Sequence, residues 1–231
     1  MIPKSENRFP AFAKPASAGE GRSEKDHAQK NDMSRPVLYY VRHGQTDWNF
    51  ERRLQGQHDI PLNALGRKQA VQCGRILRDL FARDNRSAGD FDYCASPLGR
   101  ARVTMELMRA ELGLDPETYR TDARLMEMSF GRWEGFTAAE LQVREAPALA
   151  ARERDKWNFA LPGGESYAQL LVRIRAWYKT VARNAVVAAH GGVARALIAH
   201  LGISMPEDAA IDDIGQGVVY VFDGSKMTCH S

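Results

Sequence analysis

Residues 37–44 have the sequence VLYYVRHG, and this stretch decides the fold of the chain. The β-branched and aromatic run at 37–41 predicts a buried strand, and Gly44 predicts the turn that ends it. Arg42 and His43 therefore leave the carboxyl end of a strand together. In open α/β sheets, that edge is where ligands bind. Taken alone, the tripeptide is better explained by a solvated arginine and a surface histidine.

A second strand end has the same pattern. The small apolar run at 185–189 is followed by His190, two glycines and a helical stretch at 193–200. If the two predicted strands are parallel neighbours, His43 and His190 face each other across one pocket. A capping or core histidine would explain His190 by itself. Two His-Gly pairs at two strand ends favour a shared site.

Further motifs follow in a fixed order along the chain. They are RHGQTDWN at 42–49, LQG at 54–56, PLNALG at 61–66, ASPLGRARVT at 95–104, LMEMSFGRWEG at 125–135, PGGES at 162–166 and AHGG at 189–192. This ordered set resembles the histidine phosphatase superfamily, which also contains the cofactor-dependent phosphoglycerate mutases. The resemblance runs from about residue 37 to residue 230. It implies an α/β fold, a three-layer α/β/α sandwich around a mostly parallel sheet, for a domain at 37–231.

Local signals agree with alternating strands and helices. Asn63 is a predicted N-cap, and helices are predicted at 98–112 and 166–183. A terminal hairpin is predicted over 218–230. Strands that alternate with helices indicate a largely parallel sheet covered on both faces.

The residue types of the motifs suit phosphoryl transfer, which needs positioning and neutralisation of charge. Arg42 and Arg100 supply rigid forks of donors that match phosphate. His190 adds a third charged donor and Asn49 an amide donor, unless Asn49 only caps a turn. His43 as a neutral imidazole is a competent covalent nucleophile.

The reaction also needs a general acid for the leaving oxygen, which later activates water. The resemblance places this acid at Glu127, with Glu134 as the second choice. It further places Gln55, Gly56 and Gly191 among the substrate-binding residues.

The sequence leaves the roles of Glu165 and Arg173 open. Glu165 and Arg173 match family positions, but an ion pair or a helix start explains them equally well. The walls expected to set substrate selectivity are Trp48, Phe130, Trp133 and the segment 137–157.

The favoured activity is a phosphomonoester hydrolase that acts through a phosphohistidine on a small phosphorylated metabolite, without a metal or cofactor. The mutases carry a long insertion after the catalytic glutamate, and here the interval from Glu127 to His190 is short. A mutase-type phosphotransferase is the alternative, and a non-catalytic phospho-ligand-binding protein is a weaker one. A metal site of His43, His190 and Glu127 is disfavoured because two nearby arginines would repel a dication.

Composition limits the remaining classes. A length of 231 residues with 44% apolar content suits one α/β domain, and a net charge of +3 does not indicate a nucleic-acid partner. Cys73, Cys94 and Cys229 lack CxxC spacing and favour reduced thiols in the cytoplasm. No run approaches the roughly 18 apolar residues of a membrane helix, so no membrane partner is expected. The oligomeric state is left open.

Residues 1–36 differ from the rest of the chain. They are rich in Lys, Ser, Ala, Glu and Pro and have no apolar periodicity, which predicts a disordered N-terminal extension. Met33 directly precedes Ser34-Arg35-Pro36 and the first predicted strand, and is an alternative start of translation.

Overall fold

The computed structural model describes residues 35–231. The predicted disorder of residues 1–36 concerns a segment that, except for its last two residues, lies outside the described part of the chain.

Six strands form a single sheet in the described residues. They are β1 (Leu38–Arg42), β2 (Asp92–Ala95), β3 (Arg120–Thr121), β4 (Ala185–Ala189), β5 (Val219–Asp223) and β6 (Lys226–His230). Their order across the sheet is β3-β2-β4-β1-β5-β6. The first four of these neighbours are parallel, whereas β5 and β6 add an antiparallel hairpin at one edge. The predicted mostly parallel sheet and terminal hairpin are confirmed.

Helices connect the strands. They are α1 (Asp47–Phe50), α2 (Ala64–Arg83), α3 (Gly99–Glu111), α4 (Ala138–Arg144), α5 (Ala146–Arg154), α6 (Tyr167–Tyr178), α7 (Gly191–Leu201) and α8 (Pro206–Ala209). Short 3-10 turns lie at Ala88–Asp90, Ala123–Leu125 and Gly131–Trp133. No helix among the described residues has the length and apolar character needed to cross a membrane.

The alternation of β1 explains why the sheet is covered on both faces. Tyr39 and Val41 pack into an apolar cluster with α2 and α3, whereas Leu38 and Tyr40 pack into a second cluster with α6 and α7. Successive strand side chains point to opposite faces, so a run that is apolar at every position needs helices on both sides. The predicted three-layer sandwich is confirmed.

Element boundaries differ from the predictions by small amounts. Asn63 caps α2 as predicted, since its side chain accepts a hydrogen bond from Gly66 N at 2.9 Å. The helix predicted at 166–183 ends earlier, at Tyr178. Gly44 has no positive φ; its role is close approach, because a β-carbon there would overlap the Gly66 carbonyl oxygen. Gly44 therefore allows α2 to begin directly against the end of β1.

Candidate active site

The register of the sheet brings the two predicted strand ends together. Arg42 pairs with Ala189 in the parallel β1–β4 ladder, and His43 N donates to the Ala189 carbonyl at 2.9 Å. The next residues along each strand are thus His43 and His190. Their ring centroids are 5.2 Å apart with an interplanar angle of 59°. Backbone pairing alone creates this histidine pair.

A hydrogen bond holds His43 in a single tautomer, with the proton on Nδ1. Its Nδ1 lies 2.8 Å from the Gly44 carbonyl oxygen, which can only accept, so Nδ1 carries the proton. Nε2 is left with its lone pair, and Arg100 Nε lies 3.3 Å from it. Burial first, and then the charges of Arg100 and Arg42, hold the pKa of His43 well below its usual value. The imidazole is therefore neutral at pH 7.

Arg100 lies at the start of α3 and is buried. Its Nη1 donates to the His58 carbonyl at 2.6 Å and its Nη2 to the Gly56 carbonyl at 2.7 Å. Gly56 has a φ of +52°, and a β-carbon at this position would overlap the Glu134 carboxylate. Gly56 lines the cavity as predicted, and its carbonyl also fixes the guanidinium that faces His43.

Arg42 is the last residue of β1. Its Nη1 donates to the Ile214 carbonyl at 2.7 Å. The same segment supplies Gln216, whose Nε2 donates to the His43 carbonyl at 3.0 Å. Sequence reasoning missed this segment. Nothing in its composition indicates that it covers the end of β1.

Asn49 caps a turn and also faces the cavity. Its Oδ1 accepts from Thr46 N at 3.2 Å, in a capping box at the start of α1, and from Gln216 Nε2 at 2.9 Å. Asn49 also lines the cavity. Because Oδ1 is committed to these bonds, Nδ2 is the group that Asn49 has available as a donor.

His190 lies behind the cavity wall and is fully buried. Its Nε2 is 2.7 Å from Ser96 Oγ, and its carbonyl accepts from the Tyr40 hydroxyl. Burial first, and then the charges of Arg100 and His43, lower the pKa of His190 well below its usual value. Burial therefore favours the neutral form of His190, and its predicted role as a charged donor to a bound phosphoryl group stays a prediction.

The site encloses a cavity of about 180 Å³. Its lining comprises Arg42, His43, Asn49, Arg53, Leu54, Gln55, Gly56, Arg100, Glu127, Phe130, Gly191 and Arg195. Apart from His190 and the second-choice acid Glu134, every residue predicted to be catalytic or substrate-binding is among them.

Three buried side-chain polar atoms in the described part of the chain have no hydrogen-bond partner. They are Arg42 Nε, Gln55 Oε1 and His190 Nδ1. All three belong to this site, either on the lining or directly behind it. Buried polar groups are nearly always hydrogen-bonded, so this concentration of unpaired atoms indicates a site built for a polar ligand.

Glu127 and Glu134 occupy different environments. Glu127 lines the cavity; its Oε1 accepts from Met128 N at 2.9 Å and its Oε2 from Gly192 N at 3.2 Å in the first turn of α7. A β-carbon at Gly192 would overlap this carboxylate. Glu134 instead binds loop backbone, accepting from Phe130 N at 3.0 Å. Of the two carboxylates, Glu127 is the one that faces the cavity.

Arg173 and Glu165 form an ion pair that holds the segment carrying Glu127. Arg173 Nε and Nη2 each lie 3.0 Å from a Glu165 oxygen. Its Nη1 donates to the carbonyls of Arg124 and Met126, both at 2.6 Å, and its Nη2 to that of Glu127 at 3.0 Å. One guanidinium from α6 thus fixes three carbonyls around the acid.

The prediction of which residues form the walls that set selectivity is only partly correct. Phe130 lines the cavity. Trp133 does not: it is fully buried, and its Nε1 donates to Glu145 at 2.8 Å. Trp157 is buried as well and stacks on Tyr167. Both tryptophans pack instead into the apolar cluster under α4 and α5, because a large aromatic ring contributes more buried area there than at a cavity rim.

The metal arrangement of His43, His190 and Glu127 has little geometric support. Among the described residues, no group of three or more His, Cys, Asp or Glu side chains is placed to hold a metal ion. Both oxygens of Glu127 accept backbone N–H bonds, and Arg100 Nε faces His43 Nε2 at 3.3 Å. A guanidinium at this position would repel a cation.

The chain belongs to the histidine phosphatase superfamily (branch 1), whose family model matches residues 38–226. It is 29% identical over 205 residues to the 2,3-bisphosphoglycerate-dependent phosphoglycerate mutase of Cytophaga hutchinsonii, covering 85% of this chain and 92% of the relative. A solved mycobacterial glucosyl-3-phosphoglycerate phosphatase is similar with a TM-score of 0.68 and 30% identity, covering 80% of this chain and 89% of that one. An Escherichia coli protein whose proposed activity is that of an alpha-ribazole-5'-P phosphatase has a TM-score of 0.69 and 25% identity, covering 84% and 94%. The predicted family and fold class are confirmed.

Proposed function

We propose that this protein is a phosphomonoester hydrolase that acts through a phosphohistidine on a small phosphorylated metabolite. The observation that carries the proposal is the environment of His43. A neutral imidazole, whose Nε2 accepts a hydrogen bond from Arg100 Nε at 3.3 Å, lies in a cavity that concentrates the unpaired polar atoms. An activated nucleophile next to fixed cationic donors is what phosphoryl transfer requires.

In the first step, the phosphoryl group of the substrate binds between Arg42, Arg100 and the Asn49 amide. His43 Nε2 attacks phosphorus, so a P–N bond forms while the P–O bond to the leaving group breaks. Glu127, in its protonated form, gives its proton to the departing oxygen. The arginines stabilise the charge that spreads over the equatorial oxygens.

In the second step, water replaces the leaving group. The Glu127 carboxylate accepts a proton from the water, whose oxygen attacks phosphorus and breaks the P–N bond. Inorganic phosphate leaves, His43 returns to its neutral form, and Glu127 is protonated for the next turnover. Each group thus ends where it began.

A mutase-type phosphotransfer is the second candidate, because the relative from Cytophaga hutchinsonii bears that name and matches most of its length. A mutase must return the phosphoryl group to an organic acceptor before water attacks. In this chain only the short helices α4 and α5 follow the 3-10 turn Gly131–Trp133 before α6. Because such a small cover over the cavity would not exclude water, it favours hydrolysis over phosphotransfer.

The protein is further proposed to need neither metal nor cofactor and to act in the cytoplasm without a nucleic-acid partner. Arg42 and Arg100 supply the positive charge that a metal provides elsewhere. All three cysteines of the chain are free thiols, which suits a reducing compartment. The formal net charge of +3 gives no strong attraction to nucleic acid.

The test is p-nitrophenyl phosphate hydrolysis by the full chain in the presence of EDTA. We expect phosphate release that survives chelation and is inhibited by vanadate, a mimic of five-coordinate phosphorus. Loss of activity in EDTA with recovery on added zinc would support a metal enzyme instead. Transfer of labelled phosphate to an organic acceptor in preference to water would support the mutase. Binding of phosphate esters without any turnover would support the non-catalytic binder.

A further inference from the structure

The cavity is lined by more arginines than the proposed function uses. Four arginines line it, and two of them, Arg42 and Arg100, hold the phosphoryl group in the proposed function. Arg53 is neutralised by Glu51 and Glu140, at 2.7 and 2.9 Å. The fourth is Arg195, which forms no salt bridge within the described residues.

Arg195 is anchored by neutral groups. It lies in the first turns of α7, where its Nε donates to the Asp212 carbonyl at 3.0 Å and its Nη1 to the Tyr167 hydroxyl at 3.4 Å. Neither contact uses Nη2. The guanidinium is therefore fixed in place and retains both its charge and free donors, which is an arrangement suited to an anion.

Arg195 lies close to Arg42, one of the two arginines proposed to hold the phosphoryl group. A β-carbon built on Gly191 would lie 3.3 Å from Arg195 Nη1 and 3.7 Å from Arg42 Nε. The two guanidinium groups thus flank the same glycine at the start of α7. A second anionic group attached to the substrate a few bonds from phosphorus would reach Arg195.

Two further basic residues, Arg152 and Lys156, interact electrostatically with Arg195. The Arg152 side chain on α5 is only 13% exposed, and its salt-bridge partner Glu153, at 3.4 Å, is 62% exposed. Burial, followed by the charges of Arg152 and Arg195, lowers the pKa of Lys156. Burial also lowers the pKa of Arg152, with Arg195 contributing. These pKa directions agree with a positive charge on Arg195 that a bound anion would offset.

We propose that Arg195 forms a second anion subsite, and that the substrate is a phosphomonoester with a carboxylate or a second phosphate near its phosphoryl group. The proposal rests on the proposed function for the position of the reacting phosphoryl group. It narrows the substrates to small organic phosphates with two separate anionic groups.

The test measures binding rather than turnover, so that it is independent of catalysis. Calorimetric titrations use the His43→Ala variant of the full chain with three ligands on one carbon skeleton. Glycerol 3-phosphate ends in a hydroxymethyl group, 3-phosphoglycerate in a carboxylate and glycerol 1,3-bisphosphate in a second phosphate. We expect at least one of the doubly anionic ligands to bind about tenfold or more tightly than glycerol 3-phosphate, as for a charge-assisted contact. The tighter of the two identifies the second group.

Adding Arg195→Gln to the His43→Ala variant should reduce the preference for the doubly anionic ligand over glycerol 3-phosphate to less than about twofold. The matched control is Arg154→Gln, an exposed arginine on the same helix as Arg152, which should keep the full preference. Equal affinities in the parent variant, or no measurable binding of any ligand, would overturn the subsite. An equal loss for all three ligands would assign Arg195 to the phosphoryl group and also overturn it. Thermal unfolding of each variant verifies that it is folded.

The two proposals fail in different ways. If the wild-type protein hydrolyses no phosphomonoester but the preference and its dependence on Arg195 are found, the hydrolase is wrong and the subsite stands. If p-nitrophenyl phosphate is hydrolysed but the three ligands bind equally, the hydrolase stands and the subsite is wrong.

Discussion

The two sides of the cavity are built in different ways. On the strand side, His43 and His190 follow β1 and β4, and the backbone register fixes them. On the loop side, Glu127 follows the 3-10 turn Ala123–Leu125 and is fixed by Arg173 from α6 and by Gly192 N from α7. Main-chain pairing positions His43, the proposed nucleophile, and contacts from α6 and α7, remote in sequence, position Glu127, the proposed acid. The two sides should therefore respond differently to substitution.

Among the substitutions, Glu127→Gln is expected to show the largest difference in behaviour between the loop side and the strand side. Loss of a general acid should reduce kcat/KM about 10²- to 10⁴-fold for alkyl phosphates, whose leaving oxygen needs a proton. The effect on p-nitrophenyl phosphate should be much smaller, because nitrophenolate leaves without a proton. Steady-state rates with both substrates measure the contrast.

Glu134→Gln is the matched control, since this carboxylate binds loop backbone and the His58 imidazole, with its Oε2 3.3 Å from His58 Nε2. It should show no dependence on the leaving group. An exchange of behaviour between the two variants would make Glu134 the acid.

Arg173→Gln should produce a weaker form of the same signature. Arg173 is proposed as a positioning residue. Without its guanidinium, the carbonyls of Arg124 and Met126 lose this donor and the Glu127 carbonyl keeps only Gln57 Nε2, at 3.1 Å, so we expect Glu127 to be displaced. We expect a loss of about tenfold to a hundredfold in kcat on alkyl phosphates, since small misplacements of a catalytic group are costly. The measurement is kcat and KM for both substrate types.

The matched control for Arg173 is Arg175→Gln, an exposed arginine on the same helix. It should behave like the wild type. If Arg173→Gln reduces the rates on both substrate types equally, the guanidinium does not act through the three carbonyls.

The smallest effect is expected on the stability of the strand side. The folded-state pKa values of His43 and His190 lie well below 6.5, mainly because both residues are buried. Above pH 6.5 both the folded and unfolded chains hold these side chains neutral. As the pH falls below about 6.5, the unfolded chain binds protons that the folded protein does not. The free energy of unfolding should therefore decrease, by up to about 1.4 kcal/mol per pH unit for each histidine.

Urea unfolding at pH 7.5 and pH 5.5 measures this decrease, in a window above the range where carboxylates titrate. His43→Gln should show a smaller decrease than the wild type, with the contribution of His200, whose pKa is also lowered by partial burial, left unchanged. The same decrease in wild type and variant would show that His43 is not a buried neutral group.

The strand side could be predicted from the sequence and the loop side only in part. An apolar run that ends in Arg42 and His43, and another that ends in His190, are local signals, and parallel pairing then brings them together. The choice between Glu127 and Glu134 depended on a family resemblance, because seven residues of loop carry no periodic signal. The contacts of Arg173 and the charge of Arg195 arise from packing between helices distant in sequence. Trp133 was misplaced for a related reason: an aromatic residue near a motif suits a core as well as a wall.

The central claim is that His43 Nε2 is the nucleophile, and trapping the phosphoenzyme tests it most directly. Rapid quench of the wild-type protein with a phosphomonoester under alkaline conditions, followed by peptide mass spectrometry and isomer separation, locates the phosphoryl group. The account predicts an acid-labile phosphohistidine at His43, on Nε2, because Nδ1 donates to the Gly44 carbonyl at 2.8 Å. A phosphoryl group on another residue, on Nδ1, or retained in His43→Ala would contradict it.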